Sequence, residues 1–273
     1  MTNNQLTEQG WLDHFEPADL TFENITKRVW KSGTGPAVIV MTEMPGISPH
    51  VLRFALWVRD AGFTVWLPSL FGRDGAIPSA EEGAEIFGKA CVSAEFRALG
   101  GGASSPVTLW LMALARRAHG LCGGPGVGTI GMCFTGNFAL TMMLEPAVLA
   151  PVLCQPSLPL DNPGGLEISE TELATIRTRL DSEGRKVLAY RFEGDSFCRA
   201  ERFAAYRNAL GDHFVERVLP DDSANREVPP FFSAHVKTPH SVVTVHLIDK
   251  EGEPTIRARD EIIAFLTTAC STQ

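Results

Sequence analysis

At 273 residues the chain has room for one large α/β domain or two small ones, and a chain of this length buries roughly 75% of the surface its extended form exposes. Its 44% hydrophobic and 21% charged residues lie near ordinary globular values, which excludes disordered and fibrous classes. A net charge of −8, with no run of Lys or Arg longer than a pair, argues against a nucleic-acid surface and for a small-molecule partner.

Residues 1–10 are polar, and the first long apolar stretch, residues 37–41, is far too short for a membrane span. The expectation is a soluble, cytoplasmic chain without a signal segment. Two short strands, residues 20–22 and 27–30, are turned by Glu23-Asn24. Residues 37–42 form a continuous apolar run of the kind buried in a parallel sheet. A helix at 49–61 is opened by Ser48 as cap with Pro49 at its first position, and Gly62 closes it. Residues 63–67 are another apolar strand, stopped by Pro68.

Alternation continues with helices at 81–99 and 106–119, a strand at 127–132, a helix at 137–144 and a strand at 150–155. After a polar loop over 156–165 come a helix at 170–182, a strand at 186–192, a helix at 198–210, a strand at 214–219 and a helix at 255–269. Strands alternating with helices of this length imply an α/β fold whose mostly parallel central sheet is covered on both faces. There is no internal repeat and no linker-like break, so residues 1–273 read as one domain.

Cys133 sits between the strand at 127–132 and the helix at 137–144, in Gly131-Met132-Cys133-Phe134-Thr135-Gly136. A strand that turns sharply into a helix around one nucleophile is a nucleophile elbow, and its glycines leave room for the turn. The backbone N–H groups after the nucleophile then lie at a helix N-terminus, where negative charge is favoured. A buried structural cysteine would fit the same spacing. The six cysteines include no C-x-x-C pair, and the other five read as reduced bystanders.

A thiol hydrolase also needs a base, an acid to orient that base, and donors for an oxyanion, all at the C-terminal ends of strands. Asp195 follows the strand at 186–192 in the turn-like Phe192-Glu193-Gly194-Asp195, where an orienting acid belongs, although turns favour aspartate for their own reasons. His240, its approach stiffened by Pro239, is preferred as base over His235 in the same loop and His246 in the alternating run 243–248. Glu43 ends the run 37–42 and so places a carboxylate at a strand edge; a solvated strand-end glutamate would read the same. The backbone N–H groups of Phe134 and Met44 are the expected oxyanion donors. Gly126-Val127-Gly128-Thr129-Ile130-Gly131 matches the dinucleotide pattern, but its glycines run through the strand and do not follow it. No Walker lysine motif or zinc helix is present, so no metal or cofactor is expected.

Together these residues resemble the dienelactone hydrolase family of α/β-hydrolases, in which nucleophile, acid and base follow in that chain order. The resemblance rests on Thr42-Glu43-Met44-Pro45-Gly46, the run 63–72, Gly131-Met132-Cys133, Glu193-Gly194-Asp195 and Pro239-His240-Ser241, and spans about residues 35–268. It implies a Cys133, His240, Asp195 triad in which Glu43 contacts the resting thiol and changes partner as substrate arrives. Two positions depart from the family pattern. Thr135 replaces the first of two glycines after the nucleophile, where it must pack closer to its neighbours or hydrogen-bond locally. Thr244 stands where the family carries an arginine that holds the lactone carboxylate, leaving Arg97 or Arg73 as alternative anion anchors.

The expected activity is hydrolysis of an ester, lactone or thioester through an acyl-thiol on Cys133, by a monomer or small homo-oligomer. Acyl transfer on the same fold, or thiol redox sensing without turnover, would use the same cysteine.

Overall fold

The computed structural model describes residues 6–96 and 104–271. Eight strands form one sheet: β1 (Glu16–Phe22), β2 (Ile25–Ser32), β3 (Ala37–Met41), β4 (Thr64–Pro68), β5 (Val127–Met132), β6 (Val148–Cys154), β7 (Val187–Phe192) and β8 (Phe214–Leu219). Their order is β1-β2-β4-β3-β5-β6-β7-β8. The β1/β2 and β2/β4 pairs are antiparallel, and the rest are parallel. Glu23 and Asn24 turn the first hairpin with φ of 51° and 61°, the left-handed pair that a two-residue hairpin loop requires.

The helices are α1 (Pro49–Asp60), α2 (Ala80–Val92), α3 (Pro106–Cys122), α4 (Gly136–Thr141), α5 (Glu170–Glu183), α6 (Ala200–Leu210), α7 (Pro230–His235) and α8 (Pro254–Cys270). Side chains alternate across each parallel strand, so apolar residues on both faces demand cover on both. Ala37, Ile39 and Met41 face one hydrophobic core, which also holds Trp110 and Leu111 of α3 and, further along the sheet, Phe203 of α6. Val38 and Val40 pack with Val51 and Phe54 of α1 and Ile262 and Leu266 of α8.

The strands expected at 127–132 and 214–219 have those bounds. Other elements differ in instructive ways. The helix expected over 81–99 stops at Val92, because Ser93 takes an extended conformation and its hydroxyl accepts the Glu95 N–H at 3.3 Å; residues 97–99 lie outside the described ones. The alternating run 243–248 is a series of turns and no strand. Helix α7 was not foreseen, since six residues opened by Pro229-Pro230 are too short to show periodicity.

Helix α7 packs on α2 through Gly83, where an added Cβ would lie 2.4 Å from the Phe231 ring. Gly88, on the same helix, has open space around it. Gly88→Ala should therefore stabilise the protein by about 0.5–1 kcal/mol, the ordinary helix gain, whereas Gly83→Ala should destabilise it by about 1–3 kcal/mol through overpacking. Urea midpoints of the two variants check this, and equal shifts would show that the α2/α7 seam is not tight.

Candidate active site

Strand β5 ends at Met132, and Cys133 follows with φ 53°, a left-handed conformation that costs a side-chain-bearing residue and is held only by its surroundings. Two close approaches explain the flanking glycines: a Cβ on Gly131 would sit 2.2 Å from the Thr135 carbonyl oxygen, and one on Gly136 would sit 2.6 Å from Pro156 Cα. Thr135 ties the turn together. Its hydroxyl accepts the Met132 N–H at 2.9 Å and has the carbonyls of Met132, Met41 and Thr42 within 3.0 to 3.2 Å as acceptors. The elbow is thereby fastened to the end of β3 by the residue that departs from the family pattern.

Asp195 lies just beyond β7, where Oδ1 accepts the backbone N–H groups of Phe197 and Cys198 at 2.9 and 3.0 Å. Its Oδ2 accepts from His240 Nδ1 at 2.8 Å, and both side chains are buried. Phe197 tilts against the imidazole with ring centroids 5.4 Å apart. Among the described residues His240 Nε2 has no hydrogen-bond partner of good geometry, and the Cys133 thiol lies close enough to bear on its charge. Burial opposes the imidazolium, but the charges and hydrogen bonding of Asp195 and Cys133 outweigh it, so His240 is held well above its ordinary value.

The other two histidines have different positions. His235 is exposed at the end of α7, its Nε2 3.2 Å from the Ala80 carbonyl oxygen. His246 is buried, and its Nδ1 accepts the backbone N–H groups of Ser241 at 3.1 Å and His240 at 3.4 Å. Burial, then the His240 charge, pushes the His246 pKa down to about 3, so its ring is a neutral acceptor that props the segment carrying His240.

Glu43 is buried at the end of β3 and does not bond the thiol as the resemblance implies. The hydroxyl of Thr244 donates to Oε1, while Ser241 and the Gln155 amide, the latter at 3.3 Å, donate to Oε2. The reason is proximity: the carboxylate meets a segment that offers two hydroxyls. Burial pushes the Glu43 pKa up, against these three donors. Thr244, on that segment, is fully buried and outside the wall of the cavity over Cys133. Gln155, with φ 38° just past β6, was not foreseen; a polar residue ending the apolar run 150–155 carries the same strand-end signal as Glu43.

A cavity of about 200 Å³ opens over Cys133 and His240, bordered by Met44, Phe134, Phe231 and Phe232. The two residues expected as oxyanion donors thus line the same cavity as Cys133. Arg73 does not reach this cavity; it is exposed and paired at the surface with Glu82 at 2.8 Å, which corrects its expected anion-anchoring role. Arg97 lies outside the described residues. Among the described residues no group of three or more His, Cys, Asp or Glu side chains is placed to hold a metal ion, and no helix is long and apolar enough to cross a membrane.

Residues 25–161 match the model of the dienelactone hydrolase family. No curated protein matches the chain. Among solved structures it is similar to a dienelactone hydrolase-like promiscuous phosphotriesterase from metagenomic libraries, at 16% identity and a TM-score of 0.63, covering 94% of this chain and 98% of that one. It is also similar to a dienelactone hydrolase from Anabaena variabilis ATCC 29413, at 13% identity and a TM-score of 0.57, again covering 94% and 98%. An esterase from Pyrococcus furiosus shares 12% identity with a TM-score of 0.54, over 95% of this chain and 92% of that one. At these identities the likeness is one of fold, the α/β-hydrolase fold.

The His246 position has a consequence for pH. Its pKa is depressed in the folded protein and ordinary, about 6.5, in the unfolded chain, so its stabilising contribution is full above that value and is lost as pH falls toward about 3. Wild type should lose stability on acidification with a slope from this group of up to about 1.4 kcal/mol per pH unit. His246→Asn, which keeps an acceptor and cannot titrate, should flatten that slope in urea titrations between pH 7 and 4; an unchanged slope would refute the assignment.

Proposed function

This chain belongs to the dienelactone hydrolase family of α/β-hydrolases, enzymes acting on ester bonds, and from that premise we propose that it cleaves an ester, lactone or thioester through an acyl-thiol intermediate on Cys133. The observation that carries the reading is the line of contacts from Asp195 Oδ2 to His240 Nδ1 at 2.8 Å, with Nε2 of the same ring left without a good partner beside the Cys133 thiol.

His240 takes the thiol proton on Nε2, and the sulfur adds to the substrate carbonyl carbon. The charge that develops on the carbonyl oxygen is met by the backbone N–H groups of Phe134 and Met44. As the tetrahedral adduct collapses, the bond to the leaving alcohol or thiol breaks and His240 returns its proton to that group. Water then adds to the thioester, His240 accepts its proton, and the acid and free thiol are regenerated. Asp195 fixes the tautomer and orientation of the imidazole and stabilises its charged form. Glu43 and His246 act through His240 as positioning residues, because each holds the segment that carries it. The cavity of about 200 Å³ over Cys133 suits a small-molecule substrate.

Cys133→Ala should abolish turnover of an activated aryl ester with the fold retained, and His240→Ala should lower it by about 100-fold or more. Wild type should give a burst of product with one acyl group per chain, seen as a mass increase on Cys133, and stoichiometric iodoacetamide should label Cys133 ahead of the other five cysteines. Wild-type turnover in Cys133→Ala would refute the reading.

A further inference from the structure

We infer that the cavity over Cys133 takes a neutral, apolar acyl group and rejects one that carries a carboxylate; this rests on the hydrolase reading for its turnover but not for its binding. Helix α2 contributes Ala84 and Phe87 to the wall, α7 and the residue after it contribute Phe231, Phe232 and Val236, and Phe197 closes the side next to His240. Apart from the reacting Cys133 and His240, the polar side chain on the wall is His235, which is exposed at the rim and already directed at the Ala80 carbonyl. Among the described residues no Lys or Arg borders the cavity.

Three features that could have held an anion are committed elsewhere. Arg73 is paired with Glu82 at the surface. The hydroxyl of Thr244 is buried against Glu43. Charge on the His240 ring is matched by Asp195 at 2.8 Å. A carboxylate entering this site would leave water without gaining a cation, and an unpaired buried charge is strongly disfavoured. An alkyl or aryl acyl group instead removes its own surface and that of the phenylalanines from water, so each added methylene raises kcat/KM by about threefold to fourfold until the wall is met.

The test compares p-nitrophenyl hemisuccinate with its methyl ester, which differ in the charge of the acyl group, alongside the acetate, butyrate and hexanoate. Wild type should favour the methyl ester by at least tenfold in kcat/KM and should gain along the alkyl series. Val236→Arg, which brings a guanidinium to the wall, should narrow the gap by raising kcat/KM for the acid. Calorimetric binding of the two corresponding p-nitroanilides to wild type reads the same preference without turnover. Tighter binding of the neutral anilide with no ester cleaved would sustain the cavity inference and refute the hydrolase reading. Esters cleaved with the acid equal or preferred, or neither anilide bound, would overturn the inference, and loss of an acid preference in Arg97→Ala would name the cation responsible.

Discussion

The buried carboxylate of Glu43 is the contact on which the arrangement around Cys133 most depends. His240 lies in a segment beyond β8 that joins no strand ladder, so its position has to be set by side chains. Glu43 binds that segment through Ser241 and Thr244, 198 and 201 residues away in sequence, and binds the end of β6 through Gln155. Gln155 in turn accepts the Val242 N–H at 3.3 Å. The ends of β3 and β6 and the His240 segment are thereby joined at the C-terminal edge of the sheet, where this class of fold places its chemistry.

The same region separates its titratable groups by environment. His240 is raised by the Asp195 and Cys133 charges against burial, and His246, six residues on, is lowered by burial and by the charge on His240. One imidazole is thus tuned to hold a proton and the other to refuse it, although both are buried on one short segment. Glu43 is raised by burial while three donors favour its charged form. Buried polar groups of this kind are tolerable only when each is satisfied, and their hydrogen bonds define a single geometry in return.

Packing makes the cavity over Cys133 from elements that lie outside the sheet. Helices α2 and α7 meet at Gly83 and Phe231 and present phenylalanines to the cavity, while the elbow presents Phe134 from below. Phe134 also stands edge-on to Phe71 and Phe96, with centroids 5.6 and 5.7 Å away, so the residue next to Cys133 is fixed by an aromatic cluster. An apolar cavity strengthens the electrostatic contacts inside it, such as that between Asp195 and His240.

Much of this was legible in the sequence because it is locally encoded. A continuous apolar run marks β3, the Ser48-Pro49 pair marks the start of α1, and Gly131 to Gly136 marks the elbow, each within a window of a few residues. The order of Cys133, Asp195 and His240 along the chain marks the three groups that the fold brings together. Other features were decided only by tertiary structure. The run 243–248 alternates, yet His246 takes the backbone N–H groups of its own segment and the run lies in turns and coil. Glu43 turned from the thiol to Ser241 and Thr244, and Arg73 to Glu82 at the surface, because a side chain's partner is whichever group packing brings nearest. Periodicity and turn chemistry act between neighbours in sequence and can be read there, whereas contacts across 112 to 201 residues exist only once the chain has closed on itself.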